Sequence, residues 1–298
     1  MFDTTRFIDC AGRKLVLDRP RIMGIVNVTP DSFADGGAHD NTDQAVAHAL
    51  ALAGQGADIL DVGGESTRPG AAAVTLQEEL RRVIPVIERL ARETELPISI
   101  DTSKPEVMRA AVAAGAGFIN DVFALRREGA MDAAAELGVP VCLMHMQGEP
   151  GGMQEAPHYD DVVADVHSFL TQRIFSCEMA GIPKQRIVID PGFGFGKSSA
   201  HNLSLLAQLK RFTELGVPVL AGLSRKRTLG EITGRDVDGR IHASVAAALI
   251  AAQNGAMVLR VHDVAATLDA LKVWLAVAAV PMPRGKSQAN AIRWPDDD

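Results

Sequence analysis

Polar residues recur through this chain directly after short apolar runs: Asn27, Gly63-Gly64-Glu65, Asp101, Asn120-Asp121, His145, Asp190, Ser224 and His262. Cations stand where an anion would need them, at Arg68, at Arg225-Lys226-Arg227 and at Arg260 beside His262. Forked guanidinium groups suit phosphate oxygens. Taken singly, each polar residue has a plainer reading as the marker of a strand end, and each cation as a solvated or salt-bridged group. That plainer reading is kept for Arg81-Arg82 and Arg126-Arg127. The set gains weight only if one fold brings its members together.

The segment DPGFGFGKS (190–198) ends in Gly-Lys-Ser but is not a phosphate loop, because Pro191 stands where that motif needs glycine. Its GxGxG spacing is also short of a dinucleotide fingerprint. Its glycines and its two aromatics, Phe193 and Phe195, suit a wall against a flat ring. No HExxH, no DxDxDG and no Cys/His cluster is present, so metal ligation is only faintly signalled. A Mg2+ shared between a substrate diphosphate and one side-chain oxygen would leave just such a trace. The other histidines, at 39, 48, 158, 167, 201 and 242, read as solvated or structural.

The elements that must position these groups show a regular alternation. β-rich runs at 22–28, 59–62, 98–101, 118–122, 139–145, 187–190, 217–221 and 258–261 are each followed by a segment of helical periodicity. The helical segments run over 42–55, 75–93, 105–115, 130–137, 160–181, 200–215, 237–254 and 263–279. Thr75 with Glu78 resembles a capping box, and Ser103-Lys104-Pro105 a helix start. Eight such units predict one α/β domain, a (β/α)8 TIM barrel over 1–280, with an open doubly wound sheet as the fallback. Residues 6–18 predict an N-terminal β-hairpin turning at Ala11-Gly12 and covering one end. The polar tail, 281–298, is expected to be flexible. A parallel barrel gathers all its strand C-termini at one mouth, where catalytic groups collect. The loops over 29–40, 63–75 and 147–161 are unusually long or rich in Gly and Pro, and the first two suit lids.

Composition narrows the function. The chain has 298 residues, 47% apolar and 22% charged, enough for an extensive core. A net charge of −7 gives no general attraction for nucleic acid or an anionic membrane. Apolar stretches such as 245–252 and 275–280 are too short to span a bilayer, and the first residues lack a secretory h-region. Three cysteines without CxxC spacing fit a reducing, cytoplasmic setting, with Cys142 read as a buried hydrophobe.

Eight stretches together resemble one family: MGIVNVTPDSFADGG (23–37), DVGGESTRPG (61–70), ISIDT (98–102), INDV (119–122), HMQG (145–148), DPGFGFGK (190–197), GLSRK (222–226) and RVHD (260–263). In this order they are similar to dihydropteroate synthase, over residues 20–280. The resemblance implies condensation of 6-hydroxymethyl-7,8-dihydropterin diphosphate with para-aminobenzoate, giving 7,8-dihydropteroate and pyrophosphate in folate biosynthesis. It implies Mg2+ as cofactor, a sulfonamide-binding site and a homodimer.

Residue by residue, the resemblance implies a pterin site of Asp101, Asn120, Asp190 and Lys226, lined by Met144 and Gly222. The acids would take the amine and ring N–H groups, and Lys226 the carbonyl and a ring nitrogen. A diphosphate site falls on Asn27, Arg68, Arg260 and His262, with Mg2+ bridging diphosphate oxygens to Asn27. The para-aminobenzoate site falls on Phe33, Thr67, Pro69, Phe195 and Lys226. Catalysis is assigned to Asp101, Lys226, Arg68 and Asn27, by loss of diphosphate before attack. Where the family carries serine after GLSRK, this chain carries Arg227, which either pairs with the substrate carboxylate or faces solvent. Two other readings share the barrel. A pterin-dependent corrinoid methyltransferase would not need Arg68, Arg260 and His262 as a diphosphate clamp. A non-catalytic pterin-binding barrel would not need the intact Lys226 and Arg260.

Overall fold

The structure is a computed structural model that describes residues 6–29, 38–66, 74–148, 153 and 157–280. The chain opens with an antiparallel hairpin of β1 (Phe7–Cys10) and β2 (Arg13–Val16). Its turn falls at the expected Ala11 and Gly12, which both take positive φ, 53° and 88°. Such a turn matches the twist of the flanking strands.

Eight parallel strands follow: β3 (Arg21–Asn27), β4 (Ile59–Gly63), β5 (Ile98–Asp101), β6 (Phe118–Asp121), β7 (Val141–Met144), β8 (Ile187–Asp190), β9 (Val219–Ala221) and β10 (Ala256–Val261). They pair in sequence order and close where β10 meets β3, so the fold is the expected TIM barrel rather than an open sheet. Ten α-helices lie among the described residues: α1 (Ala38–Gly54), α2 (Leu76–Glu93), α3 (Pro105–Ala113), α4 (Ala130–Leu137), α5 (Val162–Met179), α6 (Ser199–Ala207), α7 (Lys210–Thr213), α8 (Arg227–Thr233), α9 (Ile241–Gln253) and α10 (Val264–Ala278).

The second helix shows how sequence sets an element. Thr75 caps α2 by accepting from the Glu78 N–H at 3.3 Å. Glu79, Val83, Val86, Ile87 and Leu90 then recur at helical spacing and form its buried face. Arg81 and Arg82 both pair with Glu78, as their plainer reading required.

Two expectations are corrected. The single helix expected over 200–215 breaks at Gln208-Leu209 into α6 and α7, with Leu209 and Phe212 fully buried. The segment expected over 237–254 starts with a 3-10 turn, and the short helix α8 before it was not expected.

Strand side chains alternate between the barrel lumen and the helices. Lumen residues near the strand N-termini, among them Met23, Ile59, Phe118, Cys142 and Val258, pack in one cluster with Ile8, Cys10, Leu15 and Leu17 of the hairpin region. The hairpin is therefore a plug that makes the barrel floor apolar and leaves the opposite mouth to polar groups. Truncating this plug with Leu15→Ala is expected to cost about 2–5 kcal/mol in urea unfolding. A loss below about 1 kcal/mol would mean that the hairpin does not support the barrel.

Candidate active site

One layer above that floor the lumen turns polar. Asp61 on β4 is fully buried. Its Oδ2 accepts from Arg260 Nε at 2.6 Å and from Asn120 Nδ2 at 3.1 Å. The same guanidinium donates through its second terminal nitrogen to Asp101 Oδ2 at 2.7 Å. Asp61, Asp101, Asn120 and Arg260 thus meet from four strands, with Arg260 joining Asp101 to the Asp61–Asn120 pair. The register pairs Asp101 with Asn120 and Met144 with Asp190, which carries the polar ring on to β7 and β8.

Asp190 accepts from the Gly192 N–H at 2.7 Å, a tight turn at the strand end. The chain then passes so close to the preceding loop that only glycine fits. A Cβ on Gly192 would lie 1.9 Å from the His145 carbonyl oxygen, and one on Gly196 would lie 2.3 Å from that of Gln147. This course puts the Phe195 ring 4.2 Å from Lys226 Nζ. Phe195 packs in an apolar patch with Val122, Phe123, Met144, Met146 and Met153. The pocket therefore joins a polar edge to an apolar wall.

Lys226 is aimed by strain in its neighbour. Arg225 takes a left-handed φ of 58° and is held there by Asp263, by the Ser244 hydroxyl on its N–H and by Arg240 on its carbonyl. At the adjacent strand end, Ser224 Oγ accepts from the His262 N–H at 3.2 Å and lies 2.9 Å from His262 Nδ1.

Several expectations need correcting. His145 and Asp121 do not join the mouth: each follows a lumen residue, so the two-residue period turns it outward. His145 packs edge-on against Phe169, and Asp121 caps the Phe123 and Leu125 N–H groups. Phe193 is buried in the layer between strands and helices, which leaves Phe195 as the wall. Arg225 is committed to Asp263, and Arg227 is 83% exposed and paired with Glu231. Of that cationic triplet only Lys226 reaches the pocket, and Arg227 takes its solvent alternative. Arg260, expected at the rim, lies deeper, between two carboxylates. Asn27 ends β3, with Gly63 as its register partner on β4. Phe33, Thr67, Arg68 and Pro69 lie outside the described residues, as does the tail. Asp61 was missed because it sits two residues inside its strand.

Electrostatics sharpen the pocket. Burial pushes the Asp101 carboxyl up to about 7 against the pull of Arg260, with Asp61 adding to the rise. Burial likewise pushes Asp190 up to about 6, opposed by the Gly192 N–H and by Lys226. Two acids with raised values at one mouth mark a functional site.

The fold and this site define a pterin-binding barrel enzyme: residues 23–262 match the family described as "Pterin binding enzyme". The chain belongs to the dihydropteroate synthase family. It is 53% identical over 262 residues to the dihydropteroate synthase of Escherichia coli strain K12, covering 88% of this chain and 93% of that one. It is also similar to the solved dihydropteroate synthase of Xanthomonas albilineans with 4-aminobenzoic acid. That match has 69% identity and a TM-score of 0.89, and covers 93% of this chain and all of the other. The same enzyme in complex with 7,8-dihydropteroate matches with 66% identity and a TM-score of 0.85, over 92% of this chain and all of the other. No helix among the described residues is long and apolar enough to cross a membrane.

The raised carboxyl values carry a testable sign. Without ligand the folded state holds protons that the unfolded chain has released, so the stability these groups contribute falls as pH rises from 3.8 to about 7. Ring N–H donors bond more strongly to the ionised carboxylates than to the protonated acids. The affinity for a free pterin should therefore rise about three- to tenfold between about pH 5.5 and 7.5, then level off. Calorimetric titration across that range checks it, and a flat affinity would remove these acids from the pterin edge.

Proposed function

We propose that this chain condenses 6-hydroxymethyl-7,8-dihydropterin diphosphate with para-aminobenzoate, holding the pterin edge on Asp101, Asn120, Asp190 and Lys226. The observation that carries this reading is the meeting of Asp101, Asn120 and Arg260 around buried Asp61, with Asp190 and Lys226 beside them. A pterin edge offers an amine and ring N–H groups to acceptors and a carbonyl to a donor, and this pocket supplies both. Met144 and Gly222 line the ring faces. Gly222 leaves room there: a Cβ on it would come within 4.0 Å of Asp190 Oδ2 and 3.8 Å of Arg260 Cβ.

We assign the diphosphate to Asn27, Arg68 and His262 at the rim and, below them, to the remaining edge of Arg260. Among the described residues no group of three or more His, Cys, Asp or Glu side chains could hold a metal. Asn27 would be the side-chain oxygen ligand of a Mg2+ that arrives with the substrate. When bound, it supplies charge neutralisation on the leaving diphosphate. Para-aminobenzoate is placed over Phe195, beside Lys226, under cover from Phe33, Thr67 and Pro69.

The chemistry then needs no protein nucleophile. The bond from the methylene carbon to diphosphate breaks first, and the electron-rich dihydropterin shares the resulting positive charge. The ionised Asp101 carboxylate stabilises that charge. The aniline nitrogen attacks the methylene, forms the new C–N bond and gives up a proton to the released diphosphate. The apolar wall around Phe195 keeps water from competing.

The three cysteines are free and buried, which supports a reducing cytoplasmic setting. Exposed Ile250, Val273 and Val277 on α9 and α10 support a homodimer through these helices. A steady-state assay on the purified protein tests the main reading. Dihydropteroate and pyrophosphate should form in equal amounts and depend on Mg2+, and no product from these two substrates would reject it.

A further inference from the structure

Lys197 closes the glycine-rich segment after β8 and is only 2% exposed. Its hydrogen-bond partners among the described residues are not carboxylates. Nζ donates to the Gly192 carbonyl at 2.9 Å and to that of Phe195 at 3.0 Å, lies 2.9 Å from His145 Nδ1, and reaches the His145 carbonyl at 3.4 Å. An ammonium buried in this way is costly, and burial pushes it down to about 7. A methionine would fill the same space without that cost.

The residues it grips suggest what the amine is for. Gly192 and Phe195 both belong to the pocket side of this segment: the Gly192 N–H donates to Asp190, and the Phe195 ring faces Lys226 Nζ at 4.2 Å. The rest of the segment has separate supports. Asn202 accepts from the Gly194 N–H at 2.8 Å, and the Tyr159 hydroxyl donates to the Gly196 carbonyl at 2.8 Å. His145 directly follows Met144, so the same amine ties the end of β7 to the loop after β8.

We propose that Lys197 is a positioning residue for the condensation, holding the Phe195 wall against Lys226 so that the arylamine meets the pterin methylene in line. It touches no substrate and acts through the Phe195 and Gly192 carbonyls. The Asp190–Gly192 turn is local and persists without it, so the effect falls on the arylamine and not on the pterin. This inference rests on the placement of para-aminobenzoate over Phe195.

The test is a kinetic cycle on the full chain with Lys197→Met and Phe195→Ala. Lys197→Met should raise the KM for para-aminobenzoate about tenfold and leave that for the pterin diphosphate within about threefold. In the Phe195→Ala background it should raise the arylamine KM no further. A merely structural lysine would lower kcat with the folded fraction and leave both KM values alone. That result, or independent multiplying effects of the two substitutions, would overturn the proposal. Should Lys197→Met not fold, His145→Gln keeps the amine and removes one partner. It should raise the same KM about threefold, and an unchanged KM would overturn the proposal. If Phe195→Ala alone left the arylamine KM unchanged, the placement of para-aminobenzoate would fall instead.

Discussion

Replacing Lys226 with alanine should lower kcat/KM for the condensation by about a hundred- to a thousandfold, the range for losing one preorganised electrostatic group. The midpoint of urea unfolding should stay near that of the parent chain. The reason lies in how the side chain is delivered. Arg225 bears a left-handed backbone, a conformation that costs about 1–2 kcal/mol in an ordinary residue. Asp263, Ser244 and Arg240 all hold it there. That local strain serves to turn Lys226 toward the pocket, where it stands over Phe195 and draws down the Asp190 carboxyl. Removing the ammonium takes a donor from the pterin carbonyl and a counter-charge from Asp190, while the three groups that hold Arg225 stay in place. Activity within about tenfold of the parent would mean that Lys226 does not bind the reacting pterin.

Arg260→Met is expected to do the opposite kind of damage, striking stability and activity together. Its guanidinium is the shared partner of Asp61 and Asp101, at 2.6 and 2.7 Å, and the Asp61 side chain is fully buried. Among the described residues Asp61 Oδ1 has no hydrogen-bond partner, so its charge is balanced through Oδ2 alone. Breaking a buried pair from one side costs about 3–5 kcal/mol, because the remaining charge is left uncompensated. Denaturant unfolding at neutral pH should show that loss. Adding Asp61→Asn should restore much of the stability but not the activity, since the arginine would still be missing from the diphosphate side. A single variant within about 1 kcal/mol of the parent would show that the triad is not formed in solution.

These two residues also show where sequence is transparent and where it is not. The barrel was legible because eight apolar runs alternate with helical periodicity, and the parallel ring follows from that pattern. The strand-end acids and amides were legible for the same reason. Which of them face the lumen depends on strand parity to within one residue, and a strand boundary read from sequence is not that sharp. Asn120 and Met144 therefore point inward while their successors Asp121 and His145 do not. Asp61 escaped notice as an interior strand position, where a carboxylate is tolerated only because Arg260, distant in sequence, comes to it. Lys197 was hidden inside a motif that resembles a phosphate loop, and its use of backbone carbonyls leaves no trace in residue type. Arg225 and Arg227 read as anion-binding cations because charge alone does not show that Asp263 and Glu231 claim them.

The most direct measurement is a crystal structure of the protein with a 6-hydroxymethylpterin and pyrophosphate. The account predicts the pterin edge within hydrogen-bond distance of Asp101, Asn120 and Asp190, its carbonyl at Lys226, and pyrophosphate at Asn27 and His262. A pterin bound elsewhere, with these four side chains untouched, would contradict it.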